Sequence, residues 1–147
     1  MSQLRPPEHA FLSSGSREVE HTADLALELW GPDEPAMLQA GARAVVGLLT
    51  DGAEVSASDT RTVELEAIDA EDRLVRWLSE VLYWASVEGF LVARAELQVT
   101  PQGLVGRAFG QEGAAALLET EIKAVTYHDL RVLRSEDRTH ALVVLDV

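Results

Sequence analysis

The sequence predicts an α+β domain: two main helices packed on a mixed or antiparallel β-sheet, with a strand-rich C-terminal half. Three observations carry that prediction. From Glu71 to Glu88, the residues Leu74, Trp77, Leu78, Val81, Leu82 and Ala85 fall at i, i+3, i+4, i+7, i+8 and i+11, which is one continuous helical stripe. The elements run strand, helix, strand, helix and then strands only, so helices and later strands are segregated. Finally, Ala141-Leu142-Val143-Val144-Leu145 is apolar without alternation, so both faces of that last strand are expected to be covered, yet Asp146 and Val147 follow at once.

Taken in order, residues 1–16 are rich in Pro, Ser and polar side chains and read as a flexible N-terminal tail, with one domain over 17–147. Leu25-Ala26-Leu27-Glu28-Leu29-Trp30 alternates as a strand with Leu25, Leu27 and Leu29 on one face, and Gly31-Pro32 stops it. Asp33 caps a helix running to about Leu49, with Pro35 tolerated in its first turn. Its small residues Ala36, Ala40, Gly41, Ala44 and Gly47 predict close packing against another element. Thr62 to Ala67 alternates as a half-buried strand, and Gly89 stops the striped helix. Trp77, inside the stripe, reads as a core residue.

Val92–Thr100 and Leu104–Gly110 flank Pro101-Gln102-Gly103 as a hairpin, its second strand weakened by Gly106 and Gly110. Residues 111–120 show no regular pattern beyond an Ala-rich turn. Ile122–Tyr127, Leu130–Leu133 and Thr139–Val147 read as strands, the last two joined across Ser135-Glu136-Asp137.

Charge narrows the function. Twenty-five acidic residues against 12 basic ones give a net −13. A direct grip on nucleic acid depends on Lys and Arg displacing phosphate counterions, so none is expected. The balance suits a divalent cation or a basic protein partner. There are no cysteines, which excludes disulfides, zinc–thiolate sites and thiol nucleophiles. No apolar run approaches the roughly 18–20 residues of a membrane span and no signal-peptide pattern opens the chain, so a cytoplasmic protein with no membrane partner is expected.

Three clusters could carry chemistry. His21-Thr22-Ala23-Asp24 precedes a strand and reads either as a backbone-bonded turn or as a site where Asp24 ligates a hard cation and His21 orients it. In Glu121-Ile122-Lys123-Ala124-Val125-Thr126-Tyr127-His128-Asp129, alternation puts Glu121, Lys123, Val125 and Tyr127 on one face and Ile122, Ala124, Thr126 and His128 on the other. Lys123 then either snorkels at a sheet edge beside a solvated Glu121, or serves a carboxylate network or a partner. Strand geometry points His128 and Asp129 opposite ways and argues against their direct contact. The third cluster is Asp146 and Val147, which offer oxygen donors only: a solvated end, or ligands for a hard ion. No phosphate loop, G-x-S-x-G or H-E-x-x-H is present, so an independent enzyme is the weaker reading.

Together, His21-Thr22-Ala23-Asp24 with its strand ending Trp30-Gly31, Glu121 through His128, and terminal Leu145-Asp146-Val147 resemble the archease family. The run Trp77-Leu78-Ser79-Glu80-Val81-Leu82-Tyr83 is similar to that family's second helix, with Ser79 where Asn is common. Pro32 and Pro35 occupy a loop where Thr-Leu-Glu-Glu is more usual, and the tail to residue 16 lies outside the pattern.

The resemblance implies an accessory protein and not an enzyme. Archeases assist the RtcB-type RNA ligase of tRNA splicing and RNA repair, promoting guanylylation of its active-site histidine and multiple turnover. The family is also described as chaperone-like toward a tRNA methyltransferase. Its metal site, carried over residue by residue, falls on Asp24, Asp146 and Val147, with Ca²⁺ favoured and Mg²⁺ or Mn²⁺ as alternatives. His21, Glu121, Lys123 and His128 are expected to support that site or touch a partner. The competing expectations are a chaperone-like module with a purely structural metal, and a small metal-dependent hydrolase or transferase.

Overall fold

The computed structural model describes residues 13–20 and 24–147. Its strands are β1 (Gly15–Glu20), β2 (Leu25–Gly31), β3 (Asp59–Glu66), β4 (Leu91–Thr100), β5 (Gly103–Gln111), β6 (Ala124–Val125), β7 (Val132–Ser135) and β8 (Arg138–Asp146). Helix α1 (Glu34–Thr50) follows β2, helix α2 (Ala70–Glu88) follows β3, and a short 3₁₀ turn spans Ala115–Leu117. The strands form two sheets, not one. β1, β2, β8 and β6 lie side by side with β7 also on β8, while β3, β5 and β4 form the second sheet. Every pairing is antiparallel.

Both helices begin where the sequence places a cap. The Asp33 carboxylate accepts from the Ala36 N–H at 2.9 Å, and Asp69 does the same for Asp72 at 2.7 Å. Asp51, at φ 54°, ends α1, and Gly89, at φ 72°, ends α2. On α2 the stripe is buried as predicted: Leu74, Trp77, Leu78, Val81 and Ala85 have no exposure. Trp77 donates its indole N–H to the Leu38 carbonyl at 2.8 Å, so its polar atom costs nothing to bury. The core draws on both helices and both sheets.

The small residues of α1 divide in two. Gly41 sits where a Cβ would come 3.0 Å from Leu78 and 3.1 Å from Leu29, so its absence lets β2 and α2 close on α1. Gly47 has nothing within 4 Å, so close packing does not explain it. Gly106 does not weaken β5: a Cβ there would lie 2.0 Å from the Glu96 carbonyl oxygen, and its φ of 154° favours glycine.

β2 is buried on both faces because its polar member is paired. Glu28, 8% exposed, receives the Arg17 guanidinium at 2.5 Å from β1, a strand the sequence pattern did not reveal. Burial pushes the Glu28 carboxyl up, opposed by the neighbouring Arg17 charge. β8, apolar on both sides as expected, is the hub: β2 runs along one edge, while β7 and β6 share the other.

The stretch 121–133 departs from its predicted strands. Only Ala124 and Val125 join the ladder, and β7 starts at Val132. Ile122 and Val125, assigned by alternation to opposite faces, are both buried, at 3% and 8% exposure. The backbone leaves the sheet after Thr126, whose N–H and hydroxyl both bond the Val144 carbonyl. It then turns through Leu130 N–H to Tyr127 O and Asp129 at φ 50°. That turn also brings His128 Nε2 within 3.3 Å of Asp129 Oδ2, a contact that strand geometry would have prevented.

Candidate functional site

Register brings the two ends of the candidate site together. Leu25 pairs with Leu145 as the last rung of the β2–β8 ladder, so Asp24 and Asp146 are the residues next to that rung on the two chains. Within β8, Asp146 shares the face of Val144, two residues before it. Asp24 is half-buried in the bend before β2; Asp146 closes β8 and is exposed, as is Val147.

The other edge of β8 fixes Asp146 as well. Ala124 is its partner in β6, and the Lys123 N–H donates to the Asp146 carbonyl at 2.7 Å. Lys123 and Glu121 are exposed beside this pairing. His128 is exposed in the turn beyond, held by Asp129. His21, Thr22 and Ala23 lie outside the described residues.

As a donor set, Asp24 and Asp146 carboxylates with the Val147 oxygens are all hard, which fits Ca²⁺, Mg²⁺ or Mn²⁺ better than a softer metal. Among the described residues no three His, Cys, Asp or Glu side chains form a cage. Any ion held here would therefore need Val147, water or a partner to complete its shell.

Sequence reasoning missed the bracket that holds this edge. The Tyr127 hydroxyl donates to Asp72 at 2.6 Å, and Asp72 also accepts from Ile68 N–H and Arg76. The Tyr127 bond, more than any other contact, holds the Asp72 carboxyl below the usual carboxylate range, and the Tyr127 phenol is raised in return. Glu71 accepts the Val132 N–H at 2.8 Å. The first turn of α2 thus clamps the chain between β6 and β7. The only signal in the sequence was a tyrosine in a motif of otherwise strand-like residues.

A second buried charge cluster lies at the start of α1. Glu34, 6% exposed, takes Arg73 at 2.5 Å and Arg134 at 2.6 Å, tying α1, α2 and β7 together.

The class defined by these features is a two-sheet α+β domain, with Asp24 before β2 and Asp146 at the end of β8 next to the last rung of one ladder. The chain belongs to the archease family: the model of the Archease protein family (MTH1598/TM1083) matches residues 17–147. The chain is 31% identical to protein archease of Methanosarcina barkeri over 136 residues, covering 88% of this chain and 93% of that protein. Protein archease of Archaeoglobus fulgidus is also 31% identical, over 89% of this chain and 98% of its own length. The solution structure of Methanobacterium thermoautotrophicum protein 1598 is similar with a TM-score of 0.73 and 28% identity, covering 90% of this chain and 99% of that one. A crystal structure from Thermotoga maritima, described as an archease and possible chaperone, shares the fold at a TM-score of 0.58 and 23% identity, over 89% and 96% of the two chains.

Proposed function

We propose that this protein is a metal-binding accessory factor of an RtcB-type RNA ligase, promoting guanylylation of the ligase's active-site histidine and repeated turnover in tRNA splicing and RNA repair. The observation that supports this reading most is that the β2–β8 ladder ends at Leu25 and Leu145, next to Asp24 and Asp146, two carboxylates with no cation of this chain paired to either among the described residues. Asp24, Asp146 and Val147 would hold a divalent cation, Ca²⁺ in the first instance, with Mg²⁺ or Mn²⁺ as substitutes. When bound, the ion supplies charge neutralisation at that rim. The chain's own residues do the rest. β6 and the Lys123 N–H hold Asp146 on one side, the Lys123 and Glu121 side chains are exposed nearby, and the net −13 steers the rim toward a basic protein surface. His21 and His128 are assigned to support or partner contact.

In this reading the protein is no enzyme, works in the cytoplasm and meets RNA only through its partner. No helix among the described residues is long and apolar enough to cross a membrane. The test is a guanylylation assay with the ligase from the same source. Wild type should raise the guanylylated fraction, and Asp24→Ala and Asp146→Asn should not.

A second reading is a chaperone-like module, for example toward a tRNA methyltransferase, with a purely structural metal. The description of the Thermotoga maritima relative as a possible chaperone favours it. Suppression of client aggregation without any effect on ligase guanylylation would select it.

A further inference from the structure

A groove of about 730 Å³ opens between α2 and the extended stretch 118–125, a volume that accommodates several side chains. Leu82 and Ile122, nearly fully buried, form its floor. Tyr83 and Val87 stand on one ridge of α2 at i and i+4, yet are 50% and 65% exposed. They lie off the stripe that α2 buries in the core, so the fold itself does not use them.

The opposite wall is acidic and anchored. Glu119 and Thr120 N–H groups both bond the Leu49 carbonyl, at 2.7 and 3.1 Å. The Glu119 and Glu121 side chains are exposed and make no salt bridge among the described residues. Lys123, the chain's only lysine, is the one cation lining the groove among the described residues, and its N–H donates to the Asp146 carbonyl. Two carboxylates against one ammonium, with Asp146 beyond, make this an apolar trough with an acidic rim. A second copy of a chain carrying −13 would bring like charge to that rim, and so would a phosphate backbone.

We propose that the groove seats an amphipathic segment of a basic protein partner. Leucine-sized side chains lodge over Leu82 and Ile122 between Tyr83 and Val87, and Lys or Arg side chains reach Glu119 and Glu121. This rests on the accessory reading only for the partner's identity. The chemistry of the groove is tested without ligase and without metal.

The experiment titrates the ¹⁵N-labelled full chain, with chelator present, against three synthetic helical peptides of equal length. One carries a leucine stripe with lysines, one the same stripe with glutamates, and one lysines with serines in place of leucines. The leucine–lysine peptide should shift amides over 79–87 and 118–125. Its affinity should fall at least about tenfold in the Tyr83→Ser/Val87→Ser variant, whose changes are on exposed side chains. The glutamate peptide should bind at least about tenfold more weakly, and Glu119→Lys/Glu121→Lys should reverse that order. Equal binding of the serine–lysine peptide would reduce the effect to bulk charge and overturn the proposal. So would shifts confined to other surfaces. The same shifts appearing with protein concentration alone, beside a larger species in sedimentation, would make a second copy the occupant and also overturn it. Intact peptide binding with no ligase stimulation would sink only the accessory reading.

Discussion

Tyr127 and Asp72, 55 residues apart, meet in a 2.6 Å hydrogen bond that ties the turn after β6 to the first turn of α2. Asp72 is 6% exposed and its carboxylate accepts from three groups, the Tyr127 hydroxyl, the Ile68 N–H and the Arg76 guanidinium, while its own N–H donates to the capping Asp69 carboxylate. The edge that fixes Asp146 is therefore braced from α2.

Tyr127→Phe removes that bond and leaves the ring in place. It should cost about 1–2 kcal/mol in urea unfolding at neutral pH. The sign with pH follows from the lowered Asp72 pKa. Its stabilisation is complete above about pH 3.9, where an unfolded Asp ionises, and is lost as pH falls through the lower folded value. The stability difference between wild type and variant should therefore begin to shrink near pH 4 and go on shrinking as pH falls further.

The Glu34 cluster makes an asymmetric prediction. Arg73 is itself buried, so Arg73→Ala leaves a nearly buried carboxylate short of its main partner and should destabilise by about 3 kcal/mol. Arg134 has a side chain 57% exposed, and Arg134→Ala should cost only about 0.5–1 kcal/mol. Chemical denaturation of the two variants checks the ranking.

Two glycine substitutions should move stability in opposite directions. Gly106→Ala drives a Cβ into the Glu96 carbonyl and should lower stability by about 3 kcal/mol or more. Gly47→Ala adds a methyl to open space in a helix and should raise it by about 0.5–1 kcal/mol. Paired thermal melts decide this.

How much of this was legible beforehand varies by element. Caps and stops are local chemistry, so Asp33 and Gly89 marked helix ends directly, and the α2 stripe marked its buried face. The 121–133 stretch was misread because its period-two pattern is real but its partners are tertiary. Tyr127 is drawn to Asp72 and Val132 to Glu71, and neither tie leaves a local trace. β1 leaves no apolar pattern in the sequence, since Gly15–Glu20 carries Val19 as its one large apolar side chain, and Arg17 is the counterion of buried Glu28. At the candidate site, residue type was legible in Asp24 and Asp146, but the pairing of Leu25 with Leu145 beside them is a matter of register between strands more than a hundred residues apart in sequence. Family resemblance supplied the grouping of Asp24 with Asp146 and Val147, and the β2–β8 ladder ends next to the two aspartates.

Calorimetric titration with Ca²⁺ addresses the proposed ion directly. Asp24→Ala and Asp146→Asn should each weaken binding at least about tenfold, since each removes a charged oxygen ligand from a small set. Folding should be little affected, because Asp146 is exposed and Asp24 lies outside the ladder. Wild-type affinity in both variants would move the ion elsewhere.

The most direct test of the central claim is single-turnover guanylylation of the ligase histidine with wild-type protein, Asp24→Ala and Asp146→Asn at matched concentration and verified fold. The account predicts stimulation by wild type and at least about a tenfold loss in each variant. Equal stimulation by all three proteins would contradict it.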